Sequence, residues 1–255
     1  MRIIIKIGTS TLAHETGMLN LRKAERLVHV IADLKNAGHE IILVSSGAIG
    51  VGAGKLHLKA RPSDVPTRQA CASVGQCELM YEYDKLFGAY NHTVAQVLLT
   101  LDVVDHEDRR RNAVNTLERL LEMNVIPIIN ENDAVATEEI AFGDNDTLSA
   151  IVGTLVHPEL LMILSDVDGL YTMPPAEHPE AVKLDLVEAI TPEITEMAGG
   201  SGSALGTGGM ATKIEAARIA MENGFEMVLL SGADPDRIYD VMDGKPVGTR
   251  FRKKI

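Results

Sequence analysis

The sequence predicts an α/β fold of three layers, a central and mostly parallel sheet with helices on both faces. Six short apolar runs, at 3–7, 41–44, 94–99, 125–129, 160–164 and 227–230, lack the alternation of a half-exposed strand. A strand apolar on both sides belongs in a sheet covered on both faces, which is usually parallel. Segments of helical period stand between the runs, at 21–37, 106–124 and 210–223. The chain has 255 residues, 45% of them hydrophobic, enough for a sizeable core in one large domain or two lobes.

In such a fold, ligands gather beyond the carboxyl ends of the strands, so the loops after the apolar runs are where chemistry belongs. The first run, "IIIKI", contains Lys6 and leads into "GTST". Gly8 permits close backbone approach, and the N–H groups of 8–11 suit either an anion nest or an ordinary turn. The helical segment 21–37 carries Leu21, Ala24, Leu27, Val28, Ile31 and Leu34 on one stripe, with Gly38 as its stop. The second run opens "SSGAIGVG" (45–52), where serines and glycines at a helix start suit a carboxylate, a phosphate or a simple cap.

The segment 106–124 closes on "TLERLLEMN", and the fourth run passes into "NENDAV" (130–135), followed by "FGDNDTLSA" (142–150). Asp133, Asp144, Asn145 and Asp146 directly after a buried strand suit an ammonium group, the orientation of lysines or Mg²⁺, the alternative being a solvated, capped turn. The fifth run ends in "SDVDGLYT" (165–172), where Ser165 and Asp166 suit a ribose or base edge. Residues 171–205, with Pro174, Pro175 and Pro179, read as loop with short elements. The last helix, 210–223, is opened by "GTGGMATK" (206–213) and closed by Gly224. This is not a Walker loop, because Thr212 rather than glycine precedes Lys213. Gly206, Gly208 and Ala211 match a dinucleotide spacing, but no apolar strand runs into them. A glycine-rich loop that opens a helix remains, its N–H groups able to wrap a phosphate chain and Lys213 adding charge at the terminal phosphate.

Composition narrows the function. A net charge of −12 argues against nucleic acid or an anionic membrane as partner. The opening apolar run is too short for a signal-peptide core, and the longest later stretch is broken at His157, Pro158 and Glu159, so no membrane span is expected. Cys71 and Cys77, six apart without nearby histidine, are a poor zinc signal and read as buried, inert thiols of a reducing cytoplasm. No metal-ligand set is assigned. The Arg109–Arg111 run reads as a solvated helix face.

Taken in order, "KIGTSTL", "VSSGAIGVG", "RQACASVGQ", "INENDAV", "FGDNDTLSA", "SDVDGLYT", "GTGGMATKIEAA" and "PVGTRF" resemble the glutamate 5-kinase family of the amino-acid kinase superfamily, over essentially the whole chain. The resemblance implies the amino-acid kinase fold as a single domain. Within it, an N-terminal lobe (roughly 1–150) binds glutamate and a C-terminal lobe (roughly 151–255) binds nucleotide. It implies ATP-dependent phosphorylation of the L-glutamate side-chain carboxylate to glutamyl 5-phosphate, the first step of proline biosynthesis, with ATP as co-substrate and Mg²⁺ as cofactor.

By motif, Lys6 and Lys213 resemble the two transition-state lysines and Asp146 the aspartate that organises them. Ser46, Gly47, Asp133 and Asn145 resemble the glutamate-binding residues. Lys6, Gly8, Ser165, Asp166, Thr207, Gly208, Gly209, Met210, Ala211, Thr212 and Lys213 resemble the nucleotide site. A cytoplasmic homo-oligomer with feedback inhibition by proline is also implied. Many members continue into a PUA domain; this chain stops just after "GTRF", so a kinase domain alone is expected. After "GLYT" the family usually has an acid–proline–basic step, where Pro174, Pro175 and Ala176 stand here. The chemistry is self-consistent: a carboxylate of pKa about 4.3 is already ionised at neutral pH, so such a kinase needs charge neutralisation and no general base.

Overall fold

A computed structural model describes residues 1–14, 16–60, 62–135, 145–198 and 209–253. In chain order the elements are β1 (Arg2–Ile7), α1 (Thr9–Leu12), α2 (Leu21–Asn36), β2 (Glu40–Val44), α3 (Ala48–Lys55), α4 (Val65–Gly88) and β3 (Val94–Leu99). A 3₁₀ turn (Leu101–Val104) precedes α5 (Glu107–Glu122), β4 (Ile126–Glu131), α6 (Asn145–Val156) and β5 (Leu160–Ser165). The remainder comprises β6 (Leu170–Tyr171), β7 (Lys183–Leu184), β8 (Leu186–Val187), α7 (Pro192–Ala198), α8 (Met210–Glu222), β9 (Glu226–Ser231), α9 (Arg237–Met242) and β10 (Thr249–Phe251).

Eight strands form one sheet in the order β3-β4-β2-β1-β5-β9-β10-β8, parallel except where β10 runs antiparallel to β9. All six apolar runs are strands of this sheet, with ends within two residues of the expected ones. β1 lies at its centre, pairing Lys6 with Val44 of β2 on one side and with Ile163 of β5 on the other.

Strand alternation splits the core in two. Ile3, Ile5 and Ile7 of β1 join a cluster that takes in Leu27, Val28 and Ile31 of α2, Leu79, Tyr83 and Phe87 of α4, and Ile238 of α9. Ile4 joins the opposite cluster with Leu117 of α5, Leu148 and Val152 of α6, and Ile214 and Ala217 of α8. Lys6, two residues on from Ile4, therefore points to the α6/α8 side. The helices begin and end where the sequence places their signals. The Asn20 side chain accepts from the Lys23 N–H to cap α2, and Gly38 follows its last turn at φ +90°.

The 24-residue α4 is not marked by the sequence pattern, because a helix contacting both α3 and the sheet carries no single apolar stripe. Its seat on α3 depends on glycine. A Cβ at Gly75 would stand 1.8 Å from the Ala48 carbonyl oxygen, and one at Gly52 1.8 Å from that of Cys71. Gly75→Ala should therefore force the two helices apart at a cost of about 1–3 kcal/mol. Thermal unfolding should fall by roughly 2–4 °C for each kcal/mol; an unchanged melting temperature would contradict this packing. α4 also corrects the expectation of two buried thiols: Cys71 is buried, but Cys77 faces outward and is exposed. Arg109 and Arg111 are exposed and pair with Asp102 and Asp108, as a solvated face should.

Candidate active site

Because β1, β2, β4 and β5 are parallel, their carboxyl ends bring four loops to one edge of the sheet. Gly8 follows β1, and its N–H donates to the Leu164 carbonyl of β5 at 3.3 Å. Ser46 and Gly47 follow β2. Gly47 is left-handed at φ +98°, and a Cβ there would lie 3.3 Å from Thr9 Cγ2, so the β1 and β2 loops meet where a side chain would intrude. Ser165 closes β5; its carbonyl accepts from the Gly232 N–H at 2.7 Å, and its hydroxyl donates to Asp166 Oδ1 at 2.9 Å. Asp166 is exposed and Ser165 buried.

The centre of this edge is a buried three-charge group. Asp146 stands in the first turn of α6, with side-chain exposure of 0%. Its Oδ1 is paired with Lys6 Nζ, and its Oδ2 accepts from Lys213 Nζ at 3.0 Å. Both lysine side chains are only 6% exposed. Lys213 lies in the first turns of α8, whose packing on α6 sets the distance. The aspartate also sits at a helix N-terminus, where a negative charge is favoured. Among the described residues, two cations thus meet on one anion inside a protein of net charge −12.

Beside it lies a polar group. The Asn145 Nδ2 donates to the Ser45 carbonyl at 2.8 Å, to Ser46 Oγ at 2.9 Å and to Asn130 Oδ1 at 2.9 Å. Its Oδ1 is buried and has no donor among the described residues. Asp133, two residues beyond β4, is half-buried; burial pushes its carboxyl above the ordinary range, and the charge of Arg68 on α4 offsets this in part. α8 opens at Gly209, an N-cap in extended conformation whose carbonyl accepts from the Thr212 hydroxyl at 2.7 Å. Met210 and Ala211 form its first turn, where helix N–H groups point outward. Thr207, Gly208 and Asp144 lie outside the described residues.

The structure thus gathers Lys6, Asp146 and Lys213 into one group and Ser46 and Asn145 into another, with Gly47, Asp133, Gly8, Ser165, Asp166 and 209–213 on loops or helix starts around the same edge. The sequence reading missed Asn130 and Gln76, which hydrogen-bond in line with Asn145, and Arg68 beside Asp133. An asparagine directly after the apolar run 125–129, next to last in a strand that is buried throughout, was the available signal for Asn130.

Comparison with known proteins gives the family. Residues 1–231 match the model of the amino acid kinase family. The glutamate 5-kinase of Clostridium perfringens is 52% identical over 257 residues, covering 99% of this chain and 96% of that protein. That of Listeria innocua is 53% identical, covering 99% and 93%. Two solved structures share the fold: the carbamate kinase of Giardia lamblia bound to AMP-PNP and the UMP kinase of Ureaplasma parvum. The first has a TM-score of 0.69 at 18% identity, covering 99% of this chain and 98% of that one. The second has 0.67 at 17%, covering 100% and 99%. With half its residues shared with glutamate 5-kinases along nearly its full length, the chain belongs to the amino acid kinase family and, within it, to the glutamate 5-kinases.

Proposed function

We propose that the protein transfers the γ-phosphoryl group of ATP to the side-chain carboxylate of L-glutamate, giving glutamyl 5-phosphate and ADP, the step that opens proline biosynthesis. The observation that carries this reading is Asp146 held between Lys6 and Lys213, all three buried at the carboxyl edge of the sheet. A carboxylate oxygen attacks phosphorus while the bond to the ADP oxygen breaks, so no proton moves and no general base is required. The barrier lies in bringing two anions together and in the charge spread over the transferring group, which buried ammonium groups offset best.

Lys6 and Lys213 supply that charge from two sides, and Asp146 keeps both in place. Ser46, Gly47, Asn145 and Asp133 hold glutamate, Asp133 facing its ammonium group. Gly8, Ser165, Asp166 and the loop from Thr207 to Lys213 hold the nucleotide, backbone N–H groups at the start of α8 meeting its phosphates. Apart from Lys6 and Gly8, the N-terminal lobe (roughly 1–150) thereby serves the acceptor and the C-terminal lobe (roughly 151–255) the nucleotide. Mg²⁺, when bound, neutralises phosphate charge. Asp146, engaged by two lysines, would orient them rather than hold the ion.

The purified protein with Mg-ATP and glutamate should form an acyl phosphate that hydroxylamine traps, with aspartate and N-acetylglutamate far poorer. Absence of the trapped product would overturn the reading. Repeating the assay with proline tests feedback at the glutamate site. Asp133→Ala should raise the glutamate KM by about 10- to 100-fold, the worth of a charge-assisted contact, and leave the ATP KM alone; a change confined to ATP would contradict its place. Protonation removes the charge that attracts the ammonium group, and burial has raised this carboxyl. Glutamate affinity should therefore begin to fall on acidification at a higher pH than an exposed aspartate would give, a trend the KM–pH profile reads directly.

A further inference from the structure

Asn145 reaches the glutamate side of the site at one end of a chain of side-chain amides. Its Nδ2 donates at 2.9 Å to Asn130 Oδ1, which also accepts the Glu131 backbone N–H at 2.9 Å. Asn130 Nδ2 then donates to Gln76 Oε1 at 2.8 Å, and Gln76 Nε2 to Gln96 Oε1 at 3.2 Å. Backbone groups fix the direction of this chain. The Ser45 carbonyl requires the NH₂ of Asn145, and the Glu131 N–H requires the oxygen of Asn130. The two N–H bonds of Asn145 are spent on three acceptors, so its buried Oδ1 is left to accept from a ligand. An acceptor there suits a substrate ammonium group.

What holds Asn130 Nδ2 is Gln76, which comes from a helix rather than from the sheet. Its place follows from the neighbouring glycine: only without a Cβ at Gly75 does α4 lie flush on α3. Two turns further on, Tyr83 of α4 reaches Ser45, its hydroxyl 3.0 Å from Ser45 Oγ, and burial raises that phenol well above its ordinary range. α4 therefore forms the back wall of the acceptor site at two points.

We infer that Gln76 is a positioning residue for the acceptor substrate, holding Asn130 so that Asn145 presents its carbonyl oxygen at the right place and angle. This rests on the proposal that Ser46 and Asn145 bind glutamate. Gln76→Leu takes the acceptor from Asn130 Nδ2, whereas Gln76→Glu keeps it. Gln76→Leu should raise the glutamate KM about tenfold, as expected when a partly buried donor loses its acceptor, with kcat and ATP KM near those of the parent; Gln76→Glu should restore most of it. A loss of kcat and melting temperature without a KM change would mark Gln76 as merely structural and overturn the inference, as would an unchanged KM or a Gln76→Glu variant no better than leucine.

A second measurement needs no turnover. With selective ¹⁵N-asparagine labelling of the free protein, Gln76→Leu should shift the side-chain NH₂ signals of both Asn130 and Asn145. A shift confined to Asn130 would show that the chain does not transmit position, and the inference fails. A parent protein inactive on glutamate would instead sink the proposed function, and the amide signals would still decide whether Gln76 places Asn145.

Discussion

Lys213→Ala is expected to lower kcat by about 10²- to 10³-fold, the usual loss when one preorganised donor to a transition state is removed. The reason lies in the burial. Lys213 is 5% exposed, and Asp146 fixes its ammonium at 3.0 Å, so it is aimed before substrate arrives and loses nothing to reorganisation. The glutamate KM should change little, because the groups proposed to hold glutamate follow β2 and β4 or begin α6. Lys213→Arg should fail to rescue, since a planar fork does not fit where a compact ammonium packs between α6 and α8. Steady-state rates with the hydroxylamine trap test both variants, and near-normal turnover by Lys213→Ala would remove the lysine from the catalytic group.

Asp146→Ala is expected to damage both activity and stability. With the carboxylate gone, two buried ammonium groups lose the anion they share. Removing one partner of a buried charge group typically costs about 3–5 kcal/mol. Urea unfolding should report a loss of that order in the free protein. An anionic ligand should recover more stability in this variant than in the parent, because its phosphates bring back the missing charge. If Asp146→Ala unfolded at the parent's urea midpoint, the ion pairs would contribute nothing and Asp146 would not be what aligns the lysines.

The six long strands were legible because each is a nearly continuous apolar run, buried almost throughout except in the edge strand β3, and the ends of α2, α5 and α8 because asparagine, glycine and stripe periodicity mark them. β10 escaped notice: it is three residues long and includes Thr249, whose hydroxyl is buried between the Leu170 N–H and the Leu184 carbonyl. α4 escaped because its glycine and alanine positions serve close packing rather than an apolar stripe. Lys6, Asp146 and Lys213 were marked by their motifs, but 67 residues separate the last two, and only the packing of α6 on α8 joins them. Gln76 and Asn130 could not be seen as a pair at all. They are 54 residues apart, on a helix and a strand, and no local pattern links one to the other.

The order of the sheet has a consequence for engineering. Within the eight-stranded sheet, every strand before residue 150 lies on the β1 side of the β1–β5 pair, and every strand after it on the β5 side. A chimera joined after α6 would carry Lys6, Asp146 and the residues proposed to hold glutamate together and leave Lys213 in the other half. The joints to match then include the β1–β5 register, the packing of α6 on α8 and the reach of the Lys213 ammonium to Asp146. On the division of labour proposed above, exchange of the first half would change the acceptor while most of the nucleotide-binding half stays as it is.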